Sequence, residues 1–465
     1  MPQTSPTGRA RAVVIGAGAT GLFAASVLAE FADVTVIERD TLPTGPENRK
    51  GVPQARHAHL VWSGGVQAFE RLLPGFVGEL VAEGAWLAHI MGDMVSRAPN
   101  EVWFNRFGST HHRNLVCSRN LLDHVQRERV LADPRVTLRQ DTAVEGLTGG
   151  SSRVTGVRVR TGEVTETLDT DLVVDASGRG SRASVWLEEF GLPPVARREV
   201  DAGVAYATRV FKAPETVPAN FPIVNVQANP AKSPGRGGIL LPVENGRWIV
   251  TLSGTRGGRP TGDADAFLPF ALGLGDPIIG RLLKDAEPLG EVATSRSTTN
   301  VRRYYERVKP WPAGFAVLGD AVAGYNPVYG HGLTVAAQSA LALREVLRAR
   351  GITAPDTAAR IQRATARPVS GAWNLAVGQD VFYPGASETP PKALDKLLTR
   401  FVDRAVETGA RTPRALGALL DVMSLEKPAT RLFSPDMLVP MVFGPKRPHL
   451  SKAPLTSAEL KSVVR

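Results

Sequence analysis

Three glycines near the N-terminus have the spacing that a dinucleotide phosphate requires. Gly16, Gly18 and Gly21 form a GxGxxG directly after an apolar strand-like run and at the start of a helical stretch. Such glycines allow a tight turn, leave room for a pyrophosphate and let the helix pack closely on the strand. The helix N-terminus attracts the phosphates, and Glu38, ending the next strand, can accept both ribose hydroxyls. We predict a dinucleotide site here; a glycine-rich structural turn is the alternative.

A second motif, DLVVDASGRGSR, spans Asp171 to Arg182. A buried strand leads into Asp175, two glycines and two arginines. The glycines let backbone approach a ligand, and the arginines can meet phosphate. An ordinary β-turn is the alternative for this motif alone.

A third motif, FAVLGDAVAGYNPVYGHGL, precedes a long apolar helix. Asp320 follows a strand and Gly319, so its carboxylate can reach a sugar-like hydroxyl, although it could also be a plain turn residue. The loop that follows contains Pro327, Gly330, His331 and Gly332. A helix start at this point can stabilise negative charge on a planar ring.

The charge and cysteine content exclude several function classes. The chain of 465 residues carries a net charge of +10, but its arginines are scattered, and no run of five like charges indicates nucleic-acid binding. The charge could attract anionic cofactors or a membrane surface, or simply solvate the exterior. The single cysteine, Cys117, can form neither an internal disulfide nor a Cys-x-x-Cys site.

The apolar N-terminal stretch could be mistaken for an export signal. Arg9 and Arg11 precede it, but its glycines and the strand-like VTVIE that follows favour a folded βαβ unit. No run of 18 apolar residues occurs elsewhere, so a spanning helix is not expected. We predict a soluble, cytoplasmic protein, for which weak contact with a membrane surface stays open.

The elements that must position these motifs follow from the apolar pattern. Strands are predicted at 12–15, 34–37, 101–104, 136–139, 154–160, 168–174 and 315–318. Helices are predicted from the first glycine motif to residue 30, over 62–83 with a break near Pro74, over 120–131 and over 332–349. Residues 201–307 resemble an antiparallel sheet, with a hairpin of 238–243 and 247–253 joined by an Asn-Gly turn. From 355 the pattern is helical with proline breaks, and the last twenty residues are expected to fray. This order indicates an α/β cofactor domain interrupted by a β-sheet substrate domain.

Together the three motifs resemble, in order, the three signatures of the FAD-dependent aromatic-hydroxylase (class A) flavoprotein monooxygenases, over residues 10–350. The resemblance implies a Rossmann-like FAD-binding domain of the glutathione reductase/p-hydroxybenzoate hydroxylase type, formed by 1–85, 111–195 and 309–350. It implies a β-sheet substrate domain formed by 86–110 and 196–308. The C-terminal helical region, 351–465, matches no signature and is expected to cover one side of the substrate cavity.

The resemblance also implies site residues. The ADP half of FAD would lie at the first motif, the ribityl-pyrophosphate at the third, and the flavin ring against 330–333; the middle motif is associated with both FAD and NAD(P)H. The residues implied to bind FAD are Gly16, Gly18, Gly21, Glu38, Arg39, Arg119, Asp175, Gly319, Asp320, Pro327, Gly330, Gly332 and Leu333.

Three further segments resemble the bacterial polyether epoxidases and, more distantly, squalene monooxygenase: VPQARHAHL, LLPVENGRWIVTLSG and NPVYGHGLTVAAQSA. This resemblance would place Arg56, His57 and His59 near the flavin edge, with His331. The two histidines at i, i+2 have no third ligand at useful spacing, so no metal is expected. The tryptophan-dense motif of flavin halogenases is absent from the sequence.

No Ser-His-Asp or Cys-His set stands at family spacings, which suits a cofactor that performs the difficult step. The resemblance implies that NAD(P)H reduces FAD and that O2 forms a flavin C4a-hydroperoxide, which passes one oxygen atom to the substrate. An alkene needs no deprotonation, whereas a phenol usually gains from a base. We therefore predict a monooxygenase that epoxidises alkenes of a lipophilic secondary metabolite, such as a polyketide polyene, without an indispensable side-chain acid or base. Aromatic hydroxylation, flavin-dependent isoprenoid reduction and a non-enzymatic flavin-binding role are the alternatives, and the oligomeric state stays open.

Overall fold

The computed structural model describes residues 8–108, 111–444 and 447–463. Its strands are β1 (Ala10–Ile15), β2 (Ala32–Ile37), β3 (Leu60–Val61), β4 (Trp86–His89), β5 (Met94–Arg97), β6 (Arg113–Val116), β7 (Val136–Arg139), β8 (Thr142–Gly149), β9 (Val154–Thr161), β10 (Val164–Asp169), β11 (Leu172–Asp175), β12 (Arg197–Val200), β13 (Ala205–Lys212), β14 (Ile223–Val226), β15 (Arg236–Val243), β16 (Arg247–Gly254), β17 (Glu287–Ser295), β18 (Asn300–Arg303), β19 (Phe315–Val317) and β20 (Ala323–Gly324).

Its helices are α1 (Ala19–Leu28), α2 (Ser63–Leu72), α3 (Phe76–Ala82), α4 (Arg119–Leu131), α5 (Ala183–Glu189), α6 (Ala264–Leu272), α7 (Ile278–Leu283), α8 (Gly332–Arg350), α9 (Thr357–Asp380), α10 (Ala393–Gly409), α11 (Pro413–Met423), α12 (Pro435–Phe443) and α13 (Ser457–Val463).

A five-stranded parallel sheet in the order β19-β11-β1-β2-β7 forms the centre of the protein. Its inner strands are short and almost wholly apolar, as expected of strands covered on both faces. α1 packs against α8 and α4, and the buried side chains of these helices and of the sheet form one core. The predicted α/β class is confirmed.

A second sheet of six strands has the order β17-β13-β16-β15-β14-β5. β15 and β16 pair antiparallel, and the turn between them has Asn245 and Gly246 both at φ 62°, as the Asn-Gly signal predicts. β5 comes from an earlier part of the chain and pairs parallel with β14. α6 and α7, absent from the sequence prediction, lie within this region and bury Phe267 and Ile279 against the sheet.

Three local predictions are wrong. The expected strand 168–174 is two strands, because Asp171 accepts a bond from the Arg11 N–H and ends β10 before the buried β11 begins. Segment 101–104 is not a strand: Glu101 has φ 68°, and its N–H closes a tight turn onto Ala98. Within the last twenty residues, of which the structure describes 447–463, fraying was expected, but Arg106 holds α13 by two 2.7 Å bonds to Glu459.

The C-terminal helices α10, α11 and α12 form a small core of their own around Ala405, Leu419 and Met437. α8 and α9 connect this core to the central sheet. Among the residues described here, none of the helices has the length and hydropathy needed to span a bilayer.

Candidate active site

The three sequence motifs meet at one edge of the central sheet. β1, β11 and β19 are neighbours, with Ile15 opposite Asp175 and Asp175 opposite Val317. Because the strands are parallel, the loops that follow them leave the sheet side by side, where ligands of such folds bind. A cavity of about 1660 Å³ opens there. It exceeds the roughly 300–1,000 Å³ of a single ligand site, so two ligands can share it.

Most of the predicted site residues lie on the wall of this cavity. Those on the wall are Gly16, Gly18, Glu38, Arg39, His57, His59, Arg119, Asp320, Pro327, Gly330, His331, Gly332 and Leu333. Those not on the wall are Gly21, Arg56, Asp175 and Gly319.

The three glycines of the first motif differ in the space around them. Gly16 has φ 96°, and a Cβ there would lie 2.9 Å from the Ala176 carbonyl oxygen. A Cβ on Gly21 would overlap the Gly16 carbonyl oxygen, so both positions serve the turn itself. A Cβ on Gly18 would meet no described atom within 4 Å. Gly18 precedes α1, whose start has no side-chain cap in the described chain. The open space at Gly18 therefore faces free helix N–H groups, which suits a phosphate.

Glu38 is held in place by an arginine that sequence reasoning missed. Its carboxylate is 7% exposed and accepts from the N–H groups of Ala17 at 3.0 Å and Asp40 at 3.2 Å. Arg49 Nη2 donates to it at 3.0 Å, while Nη1 donates to the Ala17 carbonyl at 2.8 Å. Arg49 thus joins the glycine turn to Glu38. It lies in a polar loop without periodicity, so its position could not be read from the sequence.

Two predicted residues bring opposite charges to the cavity. Arg119 begins α4 after Ser118, whose hydroxyl accepts from the Leu121 N–H, and its Nε donates to Asp123 at 2.7 Å. Asp320 lies deep in the protein, but 39% of its side chain is open to the cavity. Burial raises the pKa of Asp320, while the positive charges of Arg179 and Arg119 lower it.

Asp175 supports a loop and does not face the cavity. The buried carboxylate accepts from the Ser177 N–H and hydroxyl at 2.9 and 2.6 Å and from the Ser181 hydroxyl at 2.6 Å. Burial raises its pKa. Asp175 was expected to contact a cofactor. In the structure it instead holds loop 176–182 in position. From that loop Arg179 reaches the carbonyls of Thr299 and Tyr325 at 2.8 and 2.5 Å.

The third motif packs tightly against the first. Gly319 has φ 63°, and a Cβ there would overlap the hydroxyl of Thr20 in α1. Further along, Gly330 has φ 68° and lies close to Trp62, whose Nε1 donates to the Tyr329 carbonyl at 2.9 Å. α8 then begins at Gly332 without a side-chain cap in the part of the chain described. This second free helix start also points at the cavity.

Of the three predicted histidines, His57 and His331 are buried and His59 is half-buried, and all three are neutral at pH 7. Burial lowers the pKa of His57 and of His331 to about 4 and that of His59 to about 3. His57 Nδ1 lies 2.7 Å from the Thr208 hydroxyl, and His331 Nε2 lies 2.9 Å from the Met423 carbonyl. Arg56, expected beside them, is exposed and lies off the cavity wall. It ends a short 3₁₀ turn, 53–56, which directs its side chain outward.

A buried polar network at the cavity was not found from the sequence. Asp380 at the end of α9 is 1% exposed and accepts from Asn300 at 2.6 Å, Asn326 at 3.0 Å and the Tyr329 hydroxyl at 2.6 Å. The Tyr206 hydroxyl donates to Asn326 Oδ1 at 2.7 Å. Burial raises the pKa of Asp380. No single motif contains these residues, because four separate segments supply them.

The remaining wall comes from the C-terminal helices and is largely apolar. α9, α10, α11 and the segment after α11 contribute Leu375, Leu398, Phe401, Leu419 and Phe433. Phe401 stacks on Phe433 with 4.9 Å between ring centroids. One cavity therefore has a polar end at the glycine motif and an apolar end among these helices.

Comparison with known proteins identifies the family. Residues 9–358 match the family described as "FAD binding domain". A Mycobacterium tuberculosis (strain ATCC 25618 / H37Rv) protein, Protein Rv3254, is 34% identical over 400 residues, covering 82% of each chain.

Two solved structures share the fold. The flavin-dependent halogenase CmlS has a TM-score of 0.65 at 17% identity, covering 94% of this chain and 76% of its own. The anhydrotetracycline hydroxylase OxyS from Streptomyces rimosus has a TM-score of 0.58 at 18% identity, covering 90% and 76%. The resemblance to polyether epoxidases stays a prediction on which these comparisons do not bear. The chain belongs to the family described as "FAD binding domain".

Proposed function

We propose that the protein is an FAD-dependent monooxygenase that uses NAD(P)H and O2 to oxygenate a small lipophilic substrate, most favourably at an alkene. The observation that carries this proposal is the single cavity that joins the glycine motif at Gly18 and Glu38 to the apolar wall around Leu398 and Phe433. A cofactor at the polar end and a substrate at the apolar end would share one enclosed space.

The residues present fit FAD. The open space at Gly18, the uncapped start of α1 and the carboxylate of Glu38 suit its pyrophosphate and ribose. In the proposal Arg119 stands near the phosphates, and Asp320 meets the ribityl-pyrophosphate region. The free start of α8 at Gly332 meets the ring, where it would stabilise negative charge.

Bound FAD, once reduced, supplies the oxygen-activating chemistry, and the protein binds, orients and excludes water. The properties of the histidines agree with this division of roles between the cofactor and the protein. With a pKa of about 4, His57 and His331 are weak bases, too weak to deprotonate a phenol efficiently. Their neutral rings can still hold neighbouring groups by hydrogen bonds, as His57 does with Thr208. An alkene, which needs no deprotonation, matches such a site.

The apolar end supports a lipophilic substrate and a route for its entry. Leu398 and Phe433 line the cavity and are 46% and 55% exposed. Leu394 and Leu397 extend the same helix face into solvent at 63% and 62% exposure. We propose that the substrate enters past these side chains, with weak contact to a membrane surface.

Aromatic hydroxylation is the second candidate, and the Asp380 network favours it. Asp380 touches the cavity, its pKa is raised by burial, and the Tyr329 hydroxyl lies 2.6 Å away on the same wall. A carboxylate with a raised pKa is a better base, and Tyr329 could relay a proton from a phenolic substrate to it.

One experiment separates the two reactions. Purified flavoprotein receives NADH or NADPH, O2 and either a polyene or a phenol, and product is identified by mass spectrometry. Alkene epoxidation predicts that Asp380→Asn keeps product formation from the polyene, because no base is needed. Loss of product from a phenol in Asp380→Asn alone, with normal flavin reduction, would establish the hydroxylase. Asp403→Asn, which changes another carboxylate on the cavity wall outside the network, is the matched control. A product formed without O2 would instead indicate a reductase.

A further inference from the structure

Two histidines and two carboxylates from distant parts of the chain meet outside the active site. His111 and His112 precede β6, Asp421 lies near the end of α11, and Glu426 follows it. None of these four described residues lies on the wall of the large cavity. We propose that they form a binding site for a divalent transition-metal ion, best matched by Zn²⁺, that joins the C-terminal helices to the FAD-binding body. The proposal does not depend on the reaction proposed above.

Three of the six distances among the ligand atoms are close to the edge of a tetrahedron around a zinc ion. His112 Nε2 lies 3.2 Å from Asp421 Oδ1, and His111 Nε2 lies 3.6 Å from the same oxygen and 3.5 Å from Glu426 Oε2. All four atoms lie within 4.8 Å of one another. Zinc bonds of about 2.0–2.2 Å place neighbouring tetrahedral ligands roughly 3.3–3.6 Å apart. The two His111 distances exceed those of good hydrogen bonds but equal an edge of such a tetrahedron.

In each carboxylate one oxygen faces the histidines, and the other accepts hydrogen bonds from neighbouring side chains. Asp421 Oδ2 accepts from Lys427 at 3.0 Å and from Arg431 at 2.7 Å. Glu426 Oε1 accepts from the Ser63 hydroxyl at 2.5 Å. Oδ1 and Oε2 face the histidine nitrogens. Carboxylates that bind metals are oriented in this way by outer hydrogen bonds.

The local charge leaves a place for a cation. Lys427 and Arg431 form ion pairs with Asp421 and Asp436, and Glu426 adds a third negative group that faces His111. Protonating both histidines would put two like charges on rings whose centroids are 3.9 Å apart. One ion shared by two neutral rings and two carboxylates removes the repulsion.

The ligand set and its surroundings indicate a structural ion. Two imidazoles with two carboxylates suit zinc in four-fold coordination, with every position filled by protein. Asp421 and His112 are buried, at 2% and 0% exposure, and 309 residues separate them in sequence. An ion here would close a long loop between β6, which leads into Arg119, and α11, which lines the cavity. No metal was predicted from the sequence, because His111 and His112 meet Asp421 and Glu426 only in the folded chain.

The test is metal binding by the full flavoprotein. The protein is stripped with a chelator, and ZnSO4 is titrated by calorimetry, with bound zinc counted by mass spectrometry after gel filtration. We expect one equivalent of zinc in the wild type. His111→Ala should lose at least tenfold in affinity, and its 62% exposed side chain makes misfolding of the variant an unimportant risk. Glu426→Gln provides a second variant with the same expected loss. Ser63→Ala removes the outer hydrogen bond to Glu426, together with the bond to the Ser424 hydroxyl, and should weaken binding by about 10–100-fold.

His449→Ala is the matched control, because His449 also faces a carboxylate, Glu407 at 3.6 Å, away from the cluster. It should still bind one equivalent. The proposal is overturned if the wild type holds no stoichiometric zinc, or if His111→Ala and Glu426→Gln bind zinc as tightly as the wild type does.

Discussion

Gly18→Val should abolish FAD binding without unfolding the protein. The backbone at Gly18 is extended, with φ −77° and ψ 176°, so valine fits without strain. No described atom lies within 4 Å of the new Cβ, so the side chain would point into the open cavity. It would occupy the space that the proposal assigns to the FAD pyrophosphate.

The magnitude follows from the bonds that the phosphate would lose. A charged acceptor gains about 1.5–3 kcal/mol from each hydrogen bond. Displacement from two N–H groups at the start of α1 therefore costs about 3 kcal/mol or more, which is a loss of at least roughly 100-fold in affinity. In contrast, the apoprotein should keep its stability to within about 1 kcal/mol. Valine is a poorer N-cap than glycine, but it lowers the entropy of the unfolded chain.

The assay titrates FAD into deflavinated protein, followed by flavin fluorescence, and compares urea unfolding of both apoproteins. Gly21→Ala is the informative contrast, because its Cβ would overlap the Gly16 carbonyl oxygen and should prevent folding altogether. If Gly18→Val binds FAD with the wild-type dissociation constant, the pyrophosphate does not lie at this turn and the placement is wrong.

Three further outcomes are expected. Asp320→Ala should weaken FAD binding by about 1–3 kcal/mol in the same titration, and an unchanged constant would make Asp320 a turn residue only. His57→Ala, His59→Ala and His331→Ala should each retain measurable oxygenation while releasing more peroxide as water enters, with both products quantified. Complete loss of product in one of them, with normal flavin binding and reduction, would reveal a catalytic acid or base. The pKa of His331 is about 4 in the folded protein against 6.5 ordinarily, so the unfolded state binds its proton first. The stability that the neutral ring contributes is present above pH 6.5 and is lost towards pH 4, by up to about 3 kcal/mol. His331→Gln should flatten this pH dependence in urea unfolding, and an unaltered slope would contradict the assignment.

Local patterns predicted the parts of the fold whose structure is set within a short segment. The β1-α1-β2 unit, the β15–β16 hairpin and the start of α8 depend on glycines, an Asn-Gly turn and continuous apolar runs. Boundaries between short strands that follow one another in sequence were harder to predict. No residue pattern in 168–174 indicates that the chain leaves one sheet and enters another at Asp171. The ion pair between Arg49 and Glu38 could not be predicted from the sequence, because a residue in an irregular loop has no periodic signal that indicates its position.

Features assembled from several segments were also not predicted, because no local sequence pattern links residues that meet only in the folded chain. Asp380 becomes a site residue only when Asn300, Asn326 and Tyr329 surround it. Arg56 shows the opposite failure: a resemblance placed it at the ring, but the 3₁₀ turn that ends there exposes its side chain. Motif spacing therefore predicted most of the polar end of the cavity wall but little of its apolar end.

Isotope transfer from molecular oxygen tests the central claim most directly. The purified flavoprotein would be given NAD(P)H, ¹⁸O2 and an apolar polyene in ordinary water, and the product analysed by mass spectrometry. The account predicts one ¹⁸O atom for each epoxide formed, because the proposed reaction inserts one atom of O2 into the substrate. Consumption of NAD(P)H with unlabelled product, or a saturated product formed equally well without oxygen, would contradict it.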